Sequence, residues 1–265
     1  MSWIIGASSI LGTGALVSDT RVRFSDGTTA ELLRKAYVVG NYIAAGFAGS
    51  VQIGFHMVAN LADALAVPKE MAGNCWDLRL VARQWAPAAQ RIFQQASAAE
   101  QSLGCQLMLV GASPAGQSGS PFPRIDVARF SAPQFTPRFS SGLSIRHVGR
   151  GDRVVQYRRS VRSLFRLGSS IRQAHVIGLH EWARQVAFGV TIGARKQLHT
   201  PTPIKDHLHV IAVRHGDLAI YTNDMTTYAG EGPPVVLKMP PVAHSWEQFT
   251  NLARAANTEP ALAVC

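Results

Sequence analysis

The chain begins with short apolar runs separated by small and polar residues, a pattern typical of β-strands joined by turns. These runs predict strands at residues 2–7, 14–18, 32–37 and 42–47. Asp26 and Gly27 form a tight-turn signal between the second and third of these strands. Residues 50–65 then carry apolar side chains at helical spacing and end before Pro68, which predicts the first helix.

The rest of the chain continues with helices and further strands. A second helix is predicted for residues 76–99, and Pro87 is expected to bend or divide it. Later strands are predicted at residues 105–111, 125–131 and 145–151, and a hairpin at residues 208–213 and 218–222. Helices are predicted for residues 152–167 and 177–196. This order is typical of an α+β chain with layered antiparallel sheets.

The pattern changes near the end of the chain, where prolines become frequent. We expect one domain over residues 1–229 and a Pro-rich C-terminal extension over residues 230–265. The extension includes a short amphipathic helix near residues 245–256. We expect it to lie as an arm over this subunit or over a neighbouring one.

Composition narrows the class of protein. The chain has 265 residues, of which 47% are hydrophobic and 16% charged, which suits one compact domain. Such low charge with such high apolar content favours a subunit that buries surface in an assembly. The net charge of +10 suits acidic partners or nucleic acid, but it carries no information about the fold.

The cysteines and the first apolar run bear on location. Cys75, Cys105 and Cys265 are scattered, so they predict neither a disulfide framework nor a metal cluster, and a cytoplasmic location is expected. We expect Cys265 to be an inert, mobile terminus, with a reactive tail thiol as the alternative. No Lys or Arg precedes Arg21 and glycines interrupt the run, so a signal peptide is not expected. No stretch is long enough to span a membrane as a helix.

The order of chemical groups near the start of the chain points to nucleophilic catalysis. If Met1 is removed, Ser2 carries a hydroxyl and an α-amine whose ordinary pKa is about 7.7–8, so the amine can act as the base for its own side chain. Lys35 beside that amine would disfavour its protonation, and a buried Asp19 would hold Lys35 in place. The backbone N–H of Gly49, just before the candidate N-cap Ser50, could stabilise an oxyanion.

These residues resemble the motifs of proteasome-type N-terminal-nucleophile (Ntn) hydrolases. The resemblance rests on Ser2, on the Asp-Thr-Arg of residues 19–21, on Lys35, and on the Gly-Phe-Ala-Gly-Ser of residues 46–50. It is close over residues 1–65 and only architectural after that. It implies catalytic roles for Ser2, Asp19, Lys35 and Gly49, with Arg21 adjacent to the site.

The resemblance also implies a fold, an activity and partners. The family fold is a four-layer αββα sandwich, with two antiparallel sheets between helical layers. The implied activity is hydrolysis of peptides or unfolded proteins inside a homo-oligomeric ring of about six or seven subunits, single or stacked, without a cofactor. An ATPase partner is left open. The implied substrate pocket is apolar and consists of Val22, Leu33, Phe47, Val51 and Phe55, although these could equally be core residues.

The sequence departs from the family pattern at two places beyond the nucleophile itself, which is Ser rather than Thr. Arg150 stands between Gly149 and Gly151 where active members carry Ser, so Arg150 is a possible neighbour of the site. The segment of residues 199–203, before the strand at 208, lacks the family's Asp and Ser. These departures leave two rivals open: a catalytically inactive homologue that acts as an assembled shell or binding scaffold, and an amidase acting on small molecules.

The remaining polar groups support no separate function. Arginines cluster between Arg146 and Arg172, and Arg158, Arg162 and Arg166 share one helical face that could contact phosphates. No nucleic-acid motif accompanies them, so a solvated face or a contact between stacked rings is the preferred interpretation. His207 and His209 have no carboxylate cluster beside them, and no metal site is expected.

Overall fold

The structure of the chain is a computed structural model. It describes residues 3–8, 12–66, 76–114, 123–149, 155, 158–159, 161–162, 176–196, 208–222, 225–227, 235–237, 241–256, 258 and 260–265. The described strands are β1 (Ile4–Ser8), β2 (Thr13–Asp19), β3 (Arg21–Arg23), β4 (Thr29–Glu31), β5 (Ala36–Gly40), β6 (Ile43–Gly49), β7 (Cys105–Ser113), β8 (Arg124–Ser131), β9 (Arg138–Ser141), β10 (Ser144–Val148), β11 (Leu208–Arg214), β12 (Asp217–Tyr221), β13 (Met225–Thr227) and β14 (Val235–Leu237). The described helices are α1 (Val51–Ala64), α2 (Leu78–Gln95), α3 (Ala98–Ser102), α4 (Leu179–Lys196) and α5 (Trp246–Ala255).

The strands form antiparallel sheets, so the chain belongs to the α+β class. One five-stranded sheet has the order β10-β1-β2-β11-β12, and the other has the order β5-β6-β7-β8-β9. Two short pairs, β3-β4 and β13-β14, lie outside these sheets. In the first sheet Leu208 of β11 is opposite Asp19 of β2, and in the second Ala36 of β5 is opposite Gly46 of β6.

Buried apolar side chains form separate clusters on the faces of the two sheets. One cluster joins residues of both sheets, among them Ile4, Leu16, Met108 and Ile211. A second cluster joins α1 and α2 to the β5–β9 sheet and also contains residues of the C-terminal segment. A third joins α4 to the β1-containing sheet. Each sheet therefore shares one buried cluster with the other sheet and another with helices.

Capping residues explain where the first three helices begin. The side chain of Ser50 accepts a hydrogen bond from Ile53 N and begins α1, and Asp77 does the same for α2 through Leu80 N. The expectation that Pro87 would divide the second helix is wrong, because α2 continues through it. The break comes at Ala96, and Ser97 then caps the short α3.

The C-terminal segment packs against the same chain. Ala243 donates to Leu32 O and accepts from Arg34 N, so residues 32–34 pair with this segment and β5 begins only at Ala36. Helix α5 buries Phe249 completely, and the last residues reach Arg23 and Gly49. In the described part of the chain, none of the helices is both long and apolar enough to cross a membrane.

Candidate functional site

A fully buried ion pair lies near the start of the chain. Lys35 Nζ is 2.6 Å from Asp19 Oδ1, and the two side chains are 0% and 1% exposed. The same oxygen accepts a hydrogen bond from Trp3 N at 3.2 Å. Burying two charges is unfavourable unless they are paired and hydrogen-bonded, and such a pair adds little net stability over apolar residues of similar size. Trp3 follows Ser2 in the sequence, and Ser2 itself is outside the described residues.

Strand pairing explains how these two side chains meet. Asp19 is the last residue of β2, and its backbone N–H donates to Trp3 O at 3.3 Å, which brings the start of the chain beside it. Lys35 directly precedes β5, and its carbonyl oxygen accepts from Phe47 N at 3.2 Å. The second interaction ties Lys35 to β6, the strand that ends at Gly49.

Asp19 and its two neighbours in the sequence carry buried side-chain oxygens that lack a hydrogen-bond partner. Ser18 Oγ, Asp19 Oδ2 and Thr20 Oγ1 have no partner among the described residues. Buried polar atoms in folded proteins are nearly always hydrogen-bonded, so each exception needs an explanation. These atoms make the surroundings of the Lys35–Asp19 pair polar, although they are closed to solvent.

Gly49 has a backbone conformation that few other residues could adopt. Its φ is +108°, and a Cβ at this position would lie 2.3 Å from Gly104 O. Gly49 N donates to Cys265 O at 2.6 Å. The N–H predicted to stabilise an oxyanion therefore already holds a carbonyl oxygen of the same chain.

The residues predicted to line an apolar substrate pocket lie together but are enclosed. Val22, Leu33, Phe47, Val51 and Phe55 belong to one buried cluster, and none is more than 5% exposed. The C-terminal residues Phe249 and Cys265 belong to the same cluster and help to close it. In this conformation the five residues are part of the core, which was the alternative interpretation of the sequence.

An open cleft of about 740 Å³ lies beside Gly49. Its described lining includes the arginines Arg23 and Arg129, together with Gln106 and Cys265. The cleft is therefore bordered by positive charge and by the backbone of the predicted oxyanion donor. A ligand bound here would lie next to the C-terminal segment.

His147 lines this cleft and was not identified from the sequence. Its Nδ1 accepts a hydrogen bond from Trp3 Nε1 at 3.0 Å, and the two rings are nearly parallel, with centroids 5.9 Å apart. Since Nδ1 is the acceptor, a neutral His147 carries its proton on Nε2. His147 thus orients the residue that follows Ser2. Its place in a predicted strand gave no signal for this role.

Cys265 differs from the sequence-based expectation of a mobile terminus. It is 4% exposed, and burial raises the pKa of its thiol to about 12, although the Lys35 ammonium acts in the opposite direction. A thiol in this state has little thiolate and little reactivity. In this conformation Cys265 is therefore not a reactive tail thiol, which was the alternative expectation.

Several other predicted groups lie at the edge of the site or beyond the described residues. Arg21 is half-buried at the start of β3, opposite Glu31. Gly149 N donates to Gln106 Oε1 at 2.9 Å, whereas the next residue, Arg150, and the segment 199–203 lie outside the described residues.

The helix expected at residues 152–167 lies partly within the described residues. Val155, Arg158, Arg159, Val161 and Arg162 have helical backbone, with Val161 buried and both Arg159 and Arg162 exposed. Within the described ranges, no group of His, Cys, Asp and Glu side chains is arranged to hold a metal ion.

Comparison with known proteins leaves the site to be interpreted from its own geometry. No protein-family model matches the chain, and no curated protein matches it.

Proposed function

We propose that this chain is a proteasome-type Ntn hydrolase that cleaves peptides with Ser2 as nucleophile. The observation that carries the proposal is the buried Lys35–Asp19 pair, hydrogen-bonded to Trp3 N. A buried ammonium whose partner Asp19 binds Trp3 N has a clear chemical use if the preceding residue, Ser2, is catalytic. The electrostatic field of Lys35 would favour the unprotonated α-amine.

The chemistry proceeds through an ester intermediate. Ser2 Oγ attacks the peptide carbonyl carbon while the α-amine of Ser2 accepts the hydroxyl proton. Gly49 N–H stabilises the oxyanion, and the amine then delivers the proton to the leaving nitrogen as the peptide bond breaks. Water, deprotonated by the same amine, hydrolyses the ester and regenerates Ser2. The hydrogen bond from Gly49 N to Cys265 O supports this role, since the N–H points to a place where it can bind an oxygen atom once Cys265 has moved away.

The proposed fold is the four-layer αββα sandwich of that family. Three buried clusters support it: one shared by the two five-stranded sheets, and one on the other face of each sheet with helices. We also propose that the chain assembles into a homo-oligomeric ring, which its low charge and high apolar content favour. Light scattering on the purified chain tests this assembly, and a monomer at micromolar concentration would contradict it.

Covalent labelling tests the nucleophile. We expect an epoxyketone directed at N-terminal nucleophiles to modify the chain once mass spectrometry shows that Met1 has been removed. Ser2→Ala should abolish the labelling, whereas the matched variant Ser2→Thr keeps a hydroxyl and should retain it. Labelling that is unchanged in Ser2→Ala contradicts the proposed mechanism.

The enclosed pocket favours a second candidate, a non-catalytic homologue that acts as an assembled scaffold. In this conformation the C-terminal segment closes the apolar cluster and occupies the Gly49 N–H. A scaffold would assemble normally but would fail to label even after Met1 is removed. The two candidates therefore predict opposite results once the C-terminal segment has left the Gly49 N–H.

A further inference from the structure

The last residues of the chain lie as an extra strand between two backbone segments. On one side, Arg23 N donates to Val264 O at 2.9 Å, and Val264 N donates to Arg23 O at 2.8 Å. On the other side, Cys265 N donates to Gly49 O at 2.9 Å, and Val51 N donates to Ala263 O at 3.1 Å. Both pairings are antiparallel. Such addition of a strand is a common way for proteins to bind extended peptides.

A buried carboxylate anchors this strand. Glu100 is 5% exposed, and its Oε1 accepts a hydrogen bond from Leu262 N at 3.2 Å. Its other oxygen accepts from the hydroxyl of Ser50, the residue that caps α1. The strand is thus tied to the residue next to Gly49 through side chains as well as through its backbone.

The strand ends at the predicted catalytic donor. The carbonyl oxygen of Cys265 receives the Gly49 N–H at 2.6 Å, and Cys265 Sγ lies 3.7 Å from Phe47 O. Ala263 and Cys265 are 2% and 4% exposed and belong to the same buried cluster as the predicted pocket residues. The segment therefore occupies both the oxyanion donor and the space that a substrate side chain would need.

We propose that residues 262–265 form an autoinhibitory strand, which must leave the groove between Arg23 and Gly49 before a peptide can bind there. The inference rests on the proposed function for the identity of the competing ligand, an extended peptide. It goes beyond that function by assigning a regulatory role to this chain's own segment. A tethered segment has an effective concentration on the order of millimolar, so it competes strongly with free peptide.

Alkylation of Cys265 tests the docked state in the full-length, unmodified chain. Iodoacetamide is added at pH 8, and modification of each cysteine is followed by peptide mass spectrometry. We expect Cys265 to react at least about a hundredfold more slowly than the same thiol in a short peptide, because burial suppresses the thiolate. Cys105, 2% exposed in the core, is the internal control for global unfolding. Rapid reaction of Cys265 with Cys105 still protected overturns the proposal.

A proline substitution tests whether the strand blocks the groove. Val264→Pro removes the N–H that bonds to Arg23 O, whereas Val264→Ala keeps it and serves as the matched control. The probe is a fluorescein-labelled hexapeptide with the sequence of residues 260–265, carrying Cys265→Ala. We expect it to bind Val264→Pro at least about tenfold more tightly than the wild-type chain, with Val264→Ala within about threefold of wild type. Equal binding to all three folded proteins overturns the proposal.

The same samples separate this inference from the proposed function. Tighter peptide binding by Val264→Pro without any epoxyketone labelling supports the autoinhibitory strand and contradicts catalysis. If Ser2 is labelled at equal rates in wild type and Val264→Pro and peptide binding does not differ, catalysis is supported. The same result overturns the autoinhibitory role of residues 262–265. If Val264→Pro fails to fold, the alkylation of Cys265 in the wild-type chain decides the question.

Discussion

Residues 3–50 and residues 241–265 contribute to the same groove by different physical means. The first region supplies a buried ion pair, Lys35–Asp19, and the positive-φ backbone of Gly49. The second region supplies mainly apolar side chains and backbone hydrogen bonds, through Phe249 and residues 263–265. A buried charge has to keep its partner in every conformation, whereas a paired strand can be exchanged for another strand.

This difference indicates which region is fixed and which is replaceable. Separating Lys35 from Asp19 would leave two charges buried, so the first region should resist local opening. Releasing residues 263–265 would expose groups that water or another peptide can satisfy. Local opening with a low free energy is therefore expected in the second region. The predictions below test this contrast.

The largest effect is expected from Lys35→Met. The substitution keeps most of the side-chain volume but leaves Asp19 buried with only the Trp3 N–H described as a partner, so we expect the free energy of unfolding to fall by about 4 kcal/mol. Urea denaturation measures the change. Adding Asp19→Asn to Lys35→Met should restore part of the loss, because no uncompensated charge remains.

The matched control for this experiment is an exposed ion pair. Arg184 and Glu181 are 2.5 Å apart on α4, and Arg184 is 57% exposed. Arg184→Met should leave the stability without measurable change. If Lys35→Met were no more destabilising than Arg184→Met, the buried pair would not be a fixed element of the fold.

Phe249→Ala tests whether the C-terminal segment is part of the core. Phe249 is fully buried, and its ring stacks on Phe24 with centroids 6.1 Å apart. Truncation should create a cavity and lower the free energy of unfolding by about 3 kcal/mol in thermal or urea denaturation. Asn251→Ala, an exposed position on the same helix, should have little effect. If Phe249→Ala lowered the free energy of unfolding as little as Asn251→Ala does, α5 would be a loosely attached arm rather than part of the core.

How much the sequence reveals differs between the two regions. That Asp19 is buried and holds Lys35 could be expected from residue type and order, and the structure shows the two in contact, whereas the catalytic roles of Asp19, Lys35 and Gly49 stay predictions. The pairing of the C-terminal residues 263–265 with Arg23 and Gly49 could not be predicted, because backbone hydrogen bonds require no particular side-chain periodicity. Leu262 has a φ of +58°, and this left-handed backbone conformation is not predicted by a leucine in the sequence. The role of Ser2 stays a prediction, since it lies outside the described residues.

Other differences from the expected fold have similar causes. The strand expected at residues 32–37 begins at Ala36, because the preceding residues pair with Ala243, far away in the sequence. The short strand β9 was not predicted, since its residues 138–141 are partly exposed and show no apolar alternation. Helices α1 and α4 and the hairpin of β11 and β12 were predicted more closely because their signals are local.

Gly49→Ala tests whether the backbone at Gly49, where the two regions meet, requires a residue without a Cβ. The new Cβ would lie 2.3 Å from Gly104 O at a φ of +108°, so we expect a loss of about 2 kcal/mol in the free energy of unfolding. Gly216→Ala is the matched control, since Gly216 has a φ of +80° with nothing within 4 Å of the added Cβ. If Gly216→Ala lowered the free energy of unfolding as much as Gly49→Ala, the positive φ rather than the contact with Gly104 would determine the cost.

The smallest effect is expected from Glu100→Gln, which alters the link between the two regions without removing it. The amide oxygen can still accept from Leu262 N, but the amide nitrogen can only donate to Ser50 Oγ, so the second hydrogen bond is reversed and the Ser50 hydroxyl loses its acceptor. We expect a loss of about 1 kcal/mol in urea denaturation, together with a modest rise in the alkylation rate of Cys265. Glu100→Ala removes both bonds and should raise that rate further. If Glu100→Ala left the alkylation of Cys265 unchanged, Glu100 would stabilise α3 alone, and the strand would be held by its backbone pairing with Arg23 and Gly49.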